Sequence, residues 1–465
     1  MDQIHIYHTN DIHSHFENWP RISAYLQSEK KRINDMDETY FSFDIGDACD
    51  RVHPLTEATN GQANVRLLNE AHYDAVTIGN NEGIGSSKAE LNHLYDEANF
   101  KVVLSNVLDK KTGEYPAWSQ PFEILQTKTG HKIGLFGLTA PFPTSYEPIG
   151  WFVREPEDVI LEMLELLSPL VDTVILLSHL GIIEDRKIAE KYPLIKVILG
   201  SHTHHLLPEG EKVRNTLLAA AGKFGQYIGH VVLETEGPHL VSAKAAVVET
   251  RQLPAVENEE ELIQGYEQLG HQLLNEQEIA VIPSNFSVSW QKKSTLVEVG
   301  LEAVKDYAKT EAAILNAGLF MQPLIEGIVT NDELHQVLPH PMRILRCTLD
   351  GENMIRLMYE MEKNRDFLRN FPIKGMGFRG QVFGELCYNG IEFDKKTREV
   401  KWLGEQIVKE KRYTFATVDH FMYIPFFPTI EIKGENEVLF PYFIRNVLGQ
   451  YLGKTYPLIS EDKSE

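Results

Sequence analysis

The chain has 465 residues and a formal net charge of −22, from 45 Lys and Arg against 67 Asp and Glu. At roughly 100 to 200 residues per domain this length predicts two or three domains, and 43% hydrophobic with 24% charged residues excludes a fibrous or disordered chain. The acidic excess would repel a phosphate backbone, so we expect no nucleic acid partner.

The cysteines and the apolar runs narrow the class further. Three widely spaced cysteines without a CxxC pair support neither a disulfide framework nor a thiolate zinc site. No stretch of sequence reaches the ~18 uncharged apolar residues of a membrane helix, and the first residues have neither a basic nor an apolar leader. We therefore expect a soluble, cytoplasmic protein without a membrane partner.

Residues 1–250 alternate short β-rich apolar runs with stretches of helical apolar spacing. The runs predicted as strands are 4–7, 40–45, 75–78, 101–104, 133–138, 173–177 and 196–199. The stretches predicted as helices are 21–33, 62–71 and 156–167, and the last has Pro in its first turn. This alternation is typical of an α/β fold, with helices covering a sheet.

The composition changes at residues 257–278, which contain no Lys or Arg and carry an apolar residue every three or four positions. We predict a linker helix over 255–278, between a first domain over 1–254 and a second over 279–465. In the second domain the patterns predict one helix over 295–309, a second that follows Asn331 as its cap, and a third over 352–361. They also predict strands over 312–315 and 343–349 and a hairpin around 394–396.

Polar side chains follow five of the predicted strands of the first domain. They are Asp11 and His13 after 4–7, Asp47 after 40–45, Asn80 after 75–78, His179 after 173–177, and His202 and His204 after 196–199. Each motif alone is common turn chemistry. Because ligands of open α/β sheets bind beyond the carboxyl ends of the strands, we expect these side chains to converge.

The converging set has carboxylate, amide and imidazole ligands, which suit Mn, Zn or Fe better than calcium or thiolate-seeking metals. Seven ligands are enough for two divalent ions. Two ions about 3.5–4 Å apart can share a carboxylate, clamp a phosphate and lower the pKa of a bound water. The first domain is therefore predicted to hydrolyse phosphoester bonds.

These motifs resemble those of the calcineurin-like metallophosphoesterases. The residues that carry the resemblance are Asp11-Ile12-His13, Gly46-Asp47, Gly79-Asn80, His179 and Gly200-x-His202-x-His204. Thr9-Asn10 and a second domain after a helical linker are similar to the 5′-nucleotidase branch, with its UDP-sugar hydrolases and 2′,3′-cyclic phosphodiesterases.

The resemblance implies a four-layer α/β sandwich followed by a C-terminal α/β domain of the 5′-nucleotidase type, which binds the nucleotide. It also implies two metal sites that share Asp47. The first would comprise Asp11, His13, Asp47 and His204, and the second Asp47, Asn80, His179 and His202.

The chain departs from the family at Asn81, because the Gly-Asn-His-Glu motif reads Gly79-Asn80-Asn81-Glu82. In the family that His is a candidate acid for the leaving oxygen, and general acid catalysis typically contributes a factor of about 10² to 10⁴. An Asn cannot deliver a proton, so Asn81 is expected, with Asn10, to donate hydrogen bonds to phosphoryl oxygens. Either His15 replaces the acid, or the substrate needs none because its leaving group is a phosphate, as in nucleotide-sugars and other diphosphates.

The second domain departs as well. The family motif Asn-Gly-Gly-x-x-Arg, whose Arg holds the substrate phosphate, is matched by Asn316-Ala317-Gly318-Leu319-Phe320-Met321 without the Arg. Arg343, Arg346 and Arg379 are alternatives, and each is equally well explained as a solvated charge. The family also stacks the base between two aromatic rings, for which Phe378 and Phe427 are the candidates.

The sequence therefore predicts a metal-dependent hydrolase that acts on the phosphoester bonds of small nucleotides or nucleotide-sugars. The alternative is a sensor that keeps the metal and nucleotide sites but has lost catalytic power, as the missing His and Arg would suggest. The sequence does not indicate the oligomeric state.

Overall fold

The structure is a computed structural model that describes residues 2–375 and 377–458. The chain forms two compact units that divide between Gly270 and His271, within the helix Glu259–Asn275. Among the described residues, no helix is both long enough and apolar enough to cross a bilayer.

The N-terminal unit contains two six-stranded sheets. The first has the order His239–Glu249, Tyr227–Glu236, Asp2–Thr9, Thr39–Asp44, Ala75–Val76 and Lys101–Val102. The second has the order Glu211–Val213, Thr216–Ala219, Ile195–Gly200, Thr173–His179, Lys132–Thr139 and Phe122–Gln126. A two-stranded ribbon joins Val107–Asp109 to Trp151–Val153. All seven predicted strands are present.

The two sheets pack face to face over a shared apolar core. Ile4, Ile6 and Phe43 of the first sheet and Leu135 and Leu177 of the second lie in this cluster and are fully buried. The helices of the unit are Trp19–Asp35, Pro54–Ala58, Gln62–Glu70, Asn80–Gly85, Lys88–Leu94, Pro143–Tyr146, Pro156–Leu167 and Ile182–Lys191. Helices on the outer faces complete four layers, which confirms the predicted fold class.

The helix Pro156–Leu167 shows why the local sequence gives this arrangement. Pro occupies its first turn, where its fixed φ favours the helix and its missing N–H costs no hydrogen bond. Its buried residues recur every three or four positions and pack on the outer face of the second sheet. They are Val159, Ile160, Met163, Leu164 and Leu167. The helix therefore stabilises the sheet that ends in His179.

The sequence analysis did not predict the antiparallel pair formed by Tyr227–Glu236 and His239–Glu249. Buried residues alternate with more exposed ones along most of Tyr227–Glu236, which is the pattern of a half-covered strand. The first of these strands also pairs antiparallel with Asp2–Thr9. The pair therefore extends the first sheet beyond the strand that leads to Asp11.

The C-terminal unit is built on a five-stranded sheet with the order Leu386–Asn389, Ala312–Asn316, Arg412–Val418, Arg343–Asp350 and Glu435–Phe443. Small ribbons are formed by Glu278–Ile282 with Gly327–Thr330, and by Ile391–Phe393, Val400–Trp402 and Glu405–Gln406. The helices are Thr295–Ala308, Asn331–Val337, Gly351–Leu368, His420–Tyr423, Pro428–Lys433 and Ile444–Thr455. One apolar core joins these elements.

One predicted helix start is wrong by a residue. The cap of Asn331–Val337 is Thr330, whose side chain accepts a hydrogen bond from the backbone N–H of Glu333. The Glu333 side chain in turn accepts one from the Thr330 N–H, at 2.9 Å. This capping box satisfies two backbone donors, which Asn331 as the cap would not do.

His8 is a fully buried histidine in the strand Asp2–Thr9. Its ring covers Gly229 of the neighbouring strand, where a Cβ would lie 2.0 Å from Nε2 of His8. Neither ring nitrogen has a hydrogen-bond partner among the described residues. Burial, together with the nearby His230, lowers the pKa of His8 to about 3. The folded state therefore keeps this ring neutral.

This burial predicts a specific loss of stability in acid. In the unfolded chain His8 has a pKa near 6.5, so the unfolded state binds a proton that the folded state excludes as the pH falls from 6.5 towards 3. The free energy of unfolding of both proteins should fall as the pH is lowered. Below pH 5.5 we expect it to fall less for His8→Leu than for the wild type, by about 1.4 kcal/mol per pH unit. Urea unfolding at pH 7.0, 5.5 and 4.5 measures this slope, with His239→Leu, at an exposed position, as the control. Equal slopes for the wild type and His8→Leu would contradict the prediction.

Candidate metal centre

The predicted metal ligands stand at the carboxyl ends of parallel strands from both sheets of the N-terminal unit. Asp11, Asp47 and Asn80 follow neighbouring strands of the first sheet. His179 ends a strand of the second sheet, and His202 and His204 follow the strand beside it. The shared edge therefore collects side chains from five strands.

Two glycines allow the loops after the second and third of these strands to touch. Gly46 has φ +86°, and a Cβ at this position would lie 2.3 Å from the backbone N of Gly79. A Cβ at Gly79 would lie 2.0 Å from Oδ1 of Asp47. Because only hydrogen fits at both positions, the loop of Asp47 lies directly against that of Asn80.

The side chains form two groups whose possible ligand atoms lie within 4.8 Å of one another. The first group is Asp11, His13 and His204, and the second is Asp11, Asp47 and His179. Nε2 of His13 lies 3.2 Å from Nε2 of His204, and Nε2 of His204 lies 3.6 Å from Oδ1 of Asp11. Atoms bound to one ion at about 2.0 to 2.2 Å have separations of this size. Asp11 belongs to both groups, whereas Asp47, which the resemblance implies is the shared ligand, belongs to the second.

His179 is oriented as a metal ligand. Its Nδ1 lies 2.8 Å from the carbonyl oxygen of Ile45, to which it can only donate, so the neutral ring has its lone pair on Nε2. Nε2 is buried without a hydrogen-bond partner among the described residues, and Oδ2 of Asp47 lies 3.5 Å away. Oδ1 of Asn80 is buried without a partner in the same way. These two atoms fit a divalent ion.

The electrostatics of the pair also favour a cation. Burial disfavours a charged His179, but the Asp47 carboxylate outweighs burial and raises the pKa of His179 to about 10. Burial likewise disfavours the Asp47 carboxylate, while His179 holds the pKa of Asp47 below its usual value. The site thus retains a proton where a positive charge is stabilised, which is where a metal ion would bind.

Five of the predicted ligands have a backbone in the left-handed region. They are Asp11 (φ 50°), His13 (50°), Asp47 (52°), His202 (73°) and His204 (57°). Such conformations cost of order 1–3 kcal/mol each for residues other than glycine, and they concentrate at functional sites. This backbone strain marks the strand ends as a site and not as ordinary turns.

His202 and His13 complete the surroundings of the two groups. The ring of His202 lies 5.2 Å from that of His179, and its backbone N donates to the Asp11 carboxylate at 3.2 Å. Nε2 of His13 lies 3.7 Å from Oδ2 of Asp47. All seven predicted ligands therefore surround one edge of the sandwich.

Comparisons with known proteins agree with this geometry. The family model described as calcineurin-like phosphoesterase matches residues 4–206, and the one described as 5′-nucleotidase, C-terminal domain matches residues 275–423. The chain is 37% identical over 470 residues to the Bacillus subtilis (strain 168) protein named uncharacterized metallophosphoesterase YunD, covering 97% of this chain and 100% of that protein. The chain belongs to the calcineurin-like phosphoesterases. It combines their domain with a 5′-nucleotidase C-terminal domain, and is a phosphoester hydrolase of this family.

Two solved structures share the fold over nearly the whole chain. The 5′-nucleotidase precursor from Thermus thermophilus has a TM-score of 0.58 at 19% identity, covering 98% of this chain and 97% of that one. The Haemophilus influenzae NAD nucleotidase has a TM-score of 0.65 at 15% identity, covering 98% and 96%. Both likenesses show the architecture, which matches the predicted two-domain fold.

The side-chain amide of Asn10 is bonded within this phosphoesterase. Its Nδ2 donates to Oδ2 of Asp11 and to the carbonyl of Gly222, each at 2.8 Å, and its Oδ1 accepts from the N–H of Ala221 at 2.9 Å. Both amide hydrogens are therefore used within the protein. Asn10 orients Asp11, and as placed it has no hydrogen left for a phosphoryl oxygen.

Asn81 faces the first ligand group. Its Nδ2 lies 3.0 Å from Nδ1 of His13 and donates to the carbonyl of Cys49 at 2.8 Å, while its backbone N donates to Oδ1 of Asp47 at 2.7 Å. This side chain is therefore also committed to the protein, and the predicted donation to a phosphoryl oxygen would need it to move. It carries no titratable proton.

His15 lies at the rim of the metal centre. Its Nδ1 is 2.6 Å from a Glu17 carboxylate oxygen, and 37% of its side chain is exposed. Its ring lies 3.8 Å from that of Phe224, which is 5.9 Å from the ring of His13. The Phe224 ring is therefore a neighbour of both His15 and the ligand His13.

In the C-terminal unit the two predicted base-stacking rings are both buried. Phe378 is buried and stacks with the rings of His340 and His420, with ring centres 5.1 and 5.6 Å away. Phe427 is fully buried and lies 5.3 Å from the ring of Phe421. Both rings are occupied by the protein itself, so in this conformation neither offers a free face to a base.

The polar residues predicted to bind substrate differ in their exposure to solvent. Asn316 is fully buried and donates from Nδ2 to the carbonyl of Phe383 at 2.6 Å. Arg343 is buried, with its guanidinium 4.4 Å from the centre of the Phe440 ring. Arg346 pairs with Glu437, whereas Arg379 is exposed. Of these predicted residues, Arg379 is the most open to solvent.

The sequence analysis gave Glu82 no role, although it links the two loops of the metal centre. Its buried carboxylate accepts backbone hydrogen bonds from Asp47 (2.9 Å) and Gly79 (2.8 Å) through Oε2 and from Cys49 (2.8 Å) through Oε1. The sequence signal was a Glu at the third position of the short helix Asn80–Gly85, as in a capping box. Glu82 therefore fixes the position of Asp47 relative to Asn80.

We expect Glu82→Gln to lower the affinity for divalent metal about 10- to 100-fold, as loss of a group that orients the ligands usually does. Gln has one acceptor oxygen, so its amide nitrogen must face at least one of the three N–H donors. Titration calorimetry of metal-free protein with Mn²⁺ or Zn²⁺ measures the effect, with the exposed Glu209→Gln as the matched control. Wild-type affinity in a folded Glu82→Gln protein would contradict this role.

Proposed function

We propose that this phosphoesterase hydrolyses small nucleotides or nucleotide-sugars and prefers diphosphate linkages over simple monoesters. The observation that supports it most is the pair of ligand groups at the strand ends, formed by carboxylates and imidazoles that share Asp11. The name of the Haemophilus influenzae relative, NAD nucleotidase, supports a substrate with a diphosphate linkage.

Two divalent ions, Mn, Zn or Fe, would be held by the seven ligands Asp11, His13, Asp47, Asn80, His179, His202 and His204. When bound, such ions activate a water molecule and neutralise charge on the phosphate. The protein residues supply position: the Asp47 loop, fixed by Glu82, and the Asp11 carboxylate, fixed by Asn10, place the oxygens that hold the ions.

The preference for diphosphates follows from Asn81. In the position where the family has a His, this amide contacts His13 and Cys49 and has no proton to give. The oxygen of an alcohol leaves slowly without a proton, whereas a phosphate leaves as a stable anion. Substrates with a phosphate leaving group therefore lose least from the change.

The test is hydrolysis of AMP, UDP-glucose and NAD by the Mn²⁺-loaded chain. We expect UDP-glucose and NAD to be cleaved and AMP to be cleaved at least about tenfold more slowly, because an acid contributes a factor of about 10² to 10⁴ for alcohol leaving groups. Asp47→Asn should abolish all three activities, and the exposed Asp96→Asn should keep them. AMP turnover as fast as that of UDP-glucose would overturn the diphosphate preference.

Restoring the motif gives a second, sharper prediction. Asn81→His should raise the AMP rate at least about tenfold and change the UDP-glucose rate little, because only the alcohol leaving group gains from a proton donor. Stopped assays measure both rates, through the inorganic phosphate released from AMP and through the UMP and glucose 1-phosphate formed from UDP-glucose, separated by chromatography. Metal and nucleotide binding without turnover of any substrate, 4-nitrophenyl phosphate included, would instead favour the sensor.

A further inference from the structure

The segment Gly222–Gly225 runs beside the first ligand group and holds Phe224 in an unusual conformation. Phe224 has φ 60°, a left-handed backbone that is a genuine outlier for a bulky residue. Its N–H donates to the carbonyl of Asp11 at 2.7 Å, and its carbonyl accepts from Nδ2 of Asn18 at 2.8 Å. The loop is therefore tied to the residue that both ligand groups share.

This backbone places the phenyl ring at the edge of the metal centre. The ring lies 3.8 Å from that of His15, 5.9 Å from that of His13 and 6.3 Å from that of His204. It is only partly buried, so part of it meets solvent. A ring held here by a strained backbone suits a ligand that reaches beyond the ions.

Lys223 adds a positive charge at the same place. Its Nζ lies 4.5 Å from the centre of the Phe224 ring. No ion pair or hydrogen bond to a carboxylate holds this ammonium among the residues that the structure describes. Lys223 is partly buried, so its charge is held close to the Phe224 ring.

Basic residues also gather around a cavity of the C-terminal unit. The cavity of about 400 Å³ in the C-terminal unit is lined by four basic residues, Lys292, Lys293, Arg365 and Arg369. Its two arginines, however, are already paired with Glu362, Glu385 and Asp366. The charge of Lys223, in contrast, is available to a ligand.

We propose that Lys223 and Phe224 form a leaving-group subsite, in which the Phe224 ring holds the ammonium of Lys223 at the edge of the metal centre and that ammonium pairs with the departing phosphate of a diphosphate substrate. This inference rests on the proposed function and names the residues that would give the enzyme its preference for diphosphate substrates. A monoester such as AMP has no second phosphate for Lys223 to hold. The subsite therefore selects the same substrates that the loss of the motif His favours.

The chemical step needs no co-reactant except water. The water oxygen forms a bond to one phosphorus atom, and the bond from that phosphorus to the bridging oxygen breaks with its electron pair on the bridging oxygen. That oxygen leaves as part of the second phosphate, and the water protons pass to solvent. The Lys223 ammonium stabilises the charge on the departing group without transferring a proton.

The test compares Lys223→Gln and Lys223→Arg with the wild type, each as the full Mn²⁺-loaded chain. For Lys223→Gln we expect the ratio of kcat/KM for UDP-glucose to that for 4-nitrophenyl phosphate to fall roughly 10- to 100-fold, the usual effect of losing a charged hydrogen-bond donor. Lys223→Arg, which keeps the charge, should restore most of the ratio. Lys212→Gln, at an exposed position of the same unit, should leave it unchanged.

Binding gives a readout that does not depend on turnover. Calorimetry measures the affinity for methylenediphosphonate and for inorganic phosphate. Lys223→Gln should lower the ratio of these two affinities roughly 10- to 100-fold, as it lowers the ratio of kcat/KM values. If neither the kcat/KM ratio nor the affinity ratio changes in Lys223→Gln, the subsite is overturned. An equal loss of affinity for inorganic phosphate and for methylenediphosphonate would also overturn it, because Lys223 would then act at the metal centre itself. If the wild type binds methylenediphosphonate through Lys223 but cleaves no substrate, the proposed function fails and the subsite stands.

Discussion

A direct contact between two loop backbones, at Gly46 and Gly79, is the constraint on which the metal centre depends. Without a side chain at either position, the loops after two neighbouring parallel strands approach as closely as backbone atoms permit. Glu82 then joins them by accepting hydrogen bonds from both. Asp47 is thereby held where the first sheet meets His179 of the second, before any ion is bound, as a preorganised ligand set requires.

The strain in the ligand backbones is maintained by the sandwich beneath them. Positive φ values at Asp11, His13 and Asp47 would relax in an isolated turn, since each costs of order 1–3 kcal/mol. Here the backbone N–H groups of Asp11 and His13 donate to the carbonyls of Gly46 and Asp47, at 3.0 and 2.8 Å. The strands below are fixed in turn by the core between the two sheets. The ligand geometry therefore depends on the packing of the core, because loosening the strands would release the strained loops.

The strands and the residues that follow them could be predicted from sequence because both depend on local pattern. Apolar runs that end in Asp, Asn or His are visible without a structure, and the fold then brings their ends together. The role of Glu82 could not be predicted in this way, because its three hydrogen bonds exist only after two distant loops meet. The contacts of Asn10 could not be predicted for the same reason, since its partners Ala221 and Gly222 lie more than 200 residues away.

In the C-terminal unit the sequence pattern alone does not determine which aromatic residues are buried. Phe378 is a candidate by its position along the chain, and Phe427 belongs to a segment aromatic enough to favour a core, so tertiary packing decides the role of each. The rings of His340 and His420 enclose Phe378, and Phe421 packs against Phe427. Only the arrangement of several loops determines whether an aromatic residue is a binding surface or part of the core.

Under the proposed function, the surroundings of the metal centre determine which leaving groups the enzyme can release. A general acid lowers the barrier by transferring a proton to the leaving oxygen, and this benefit is largest for an alcohol. A fixed cation instead stabilises negative charge that stays on the leaving group, and it needs no reorganisation at the moment of reaction. A phosphate spreads that charge over several oxygens and therefore gains from a cation what it would not gain from a proton. Asn81 at the acid position and an ammonium at the rim thus act in the same direction: a site that cannot supply a proton can still release a phosphate, provided that its charge is balanced where it departs.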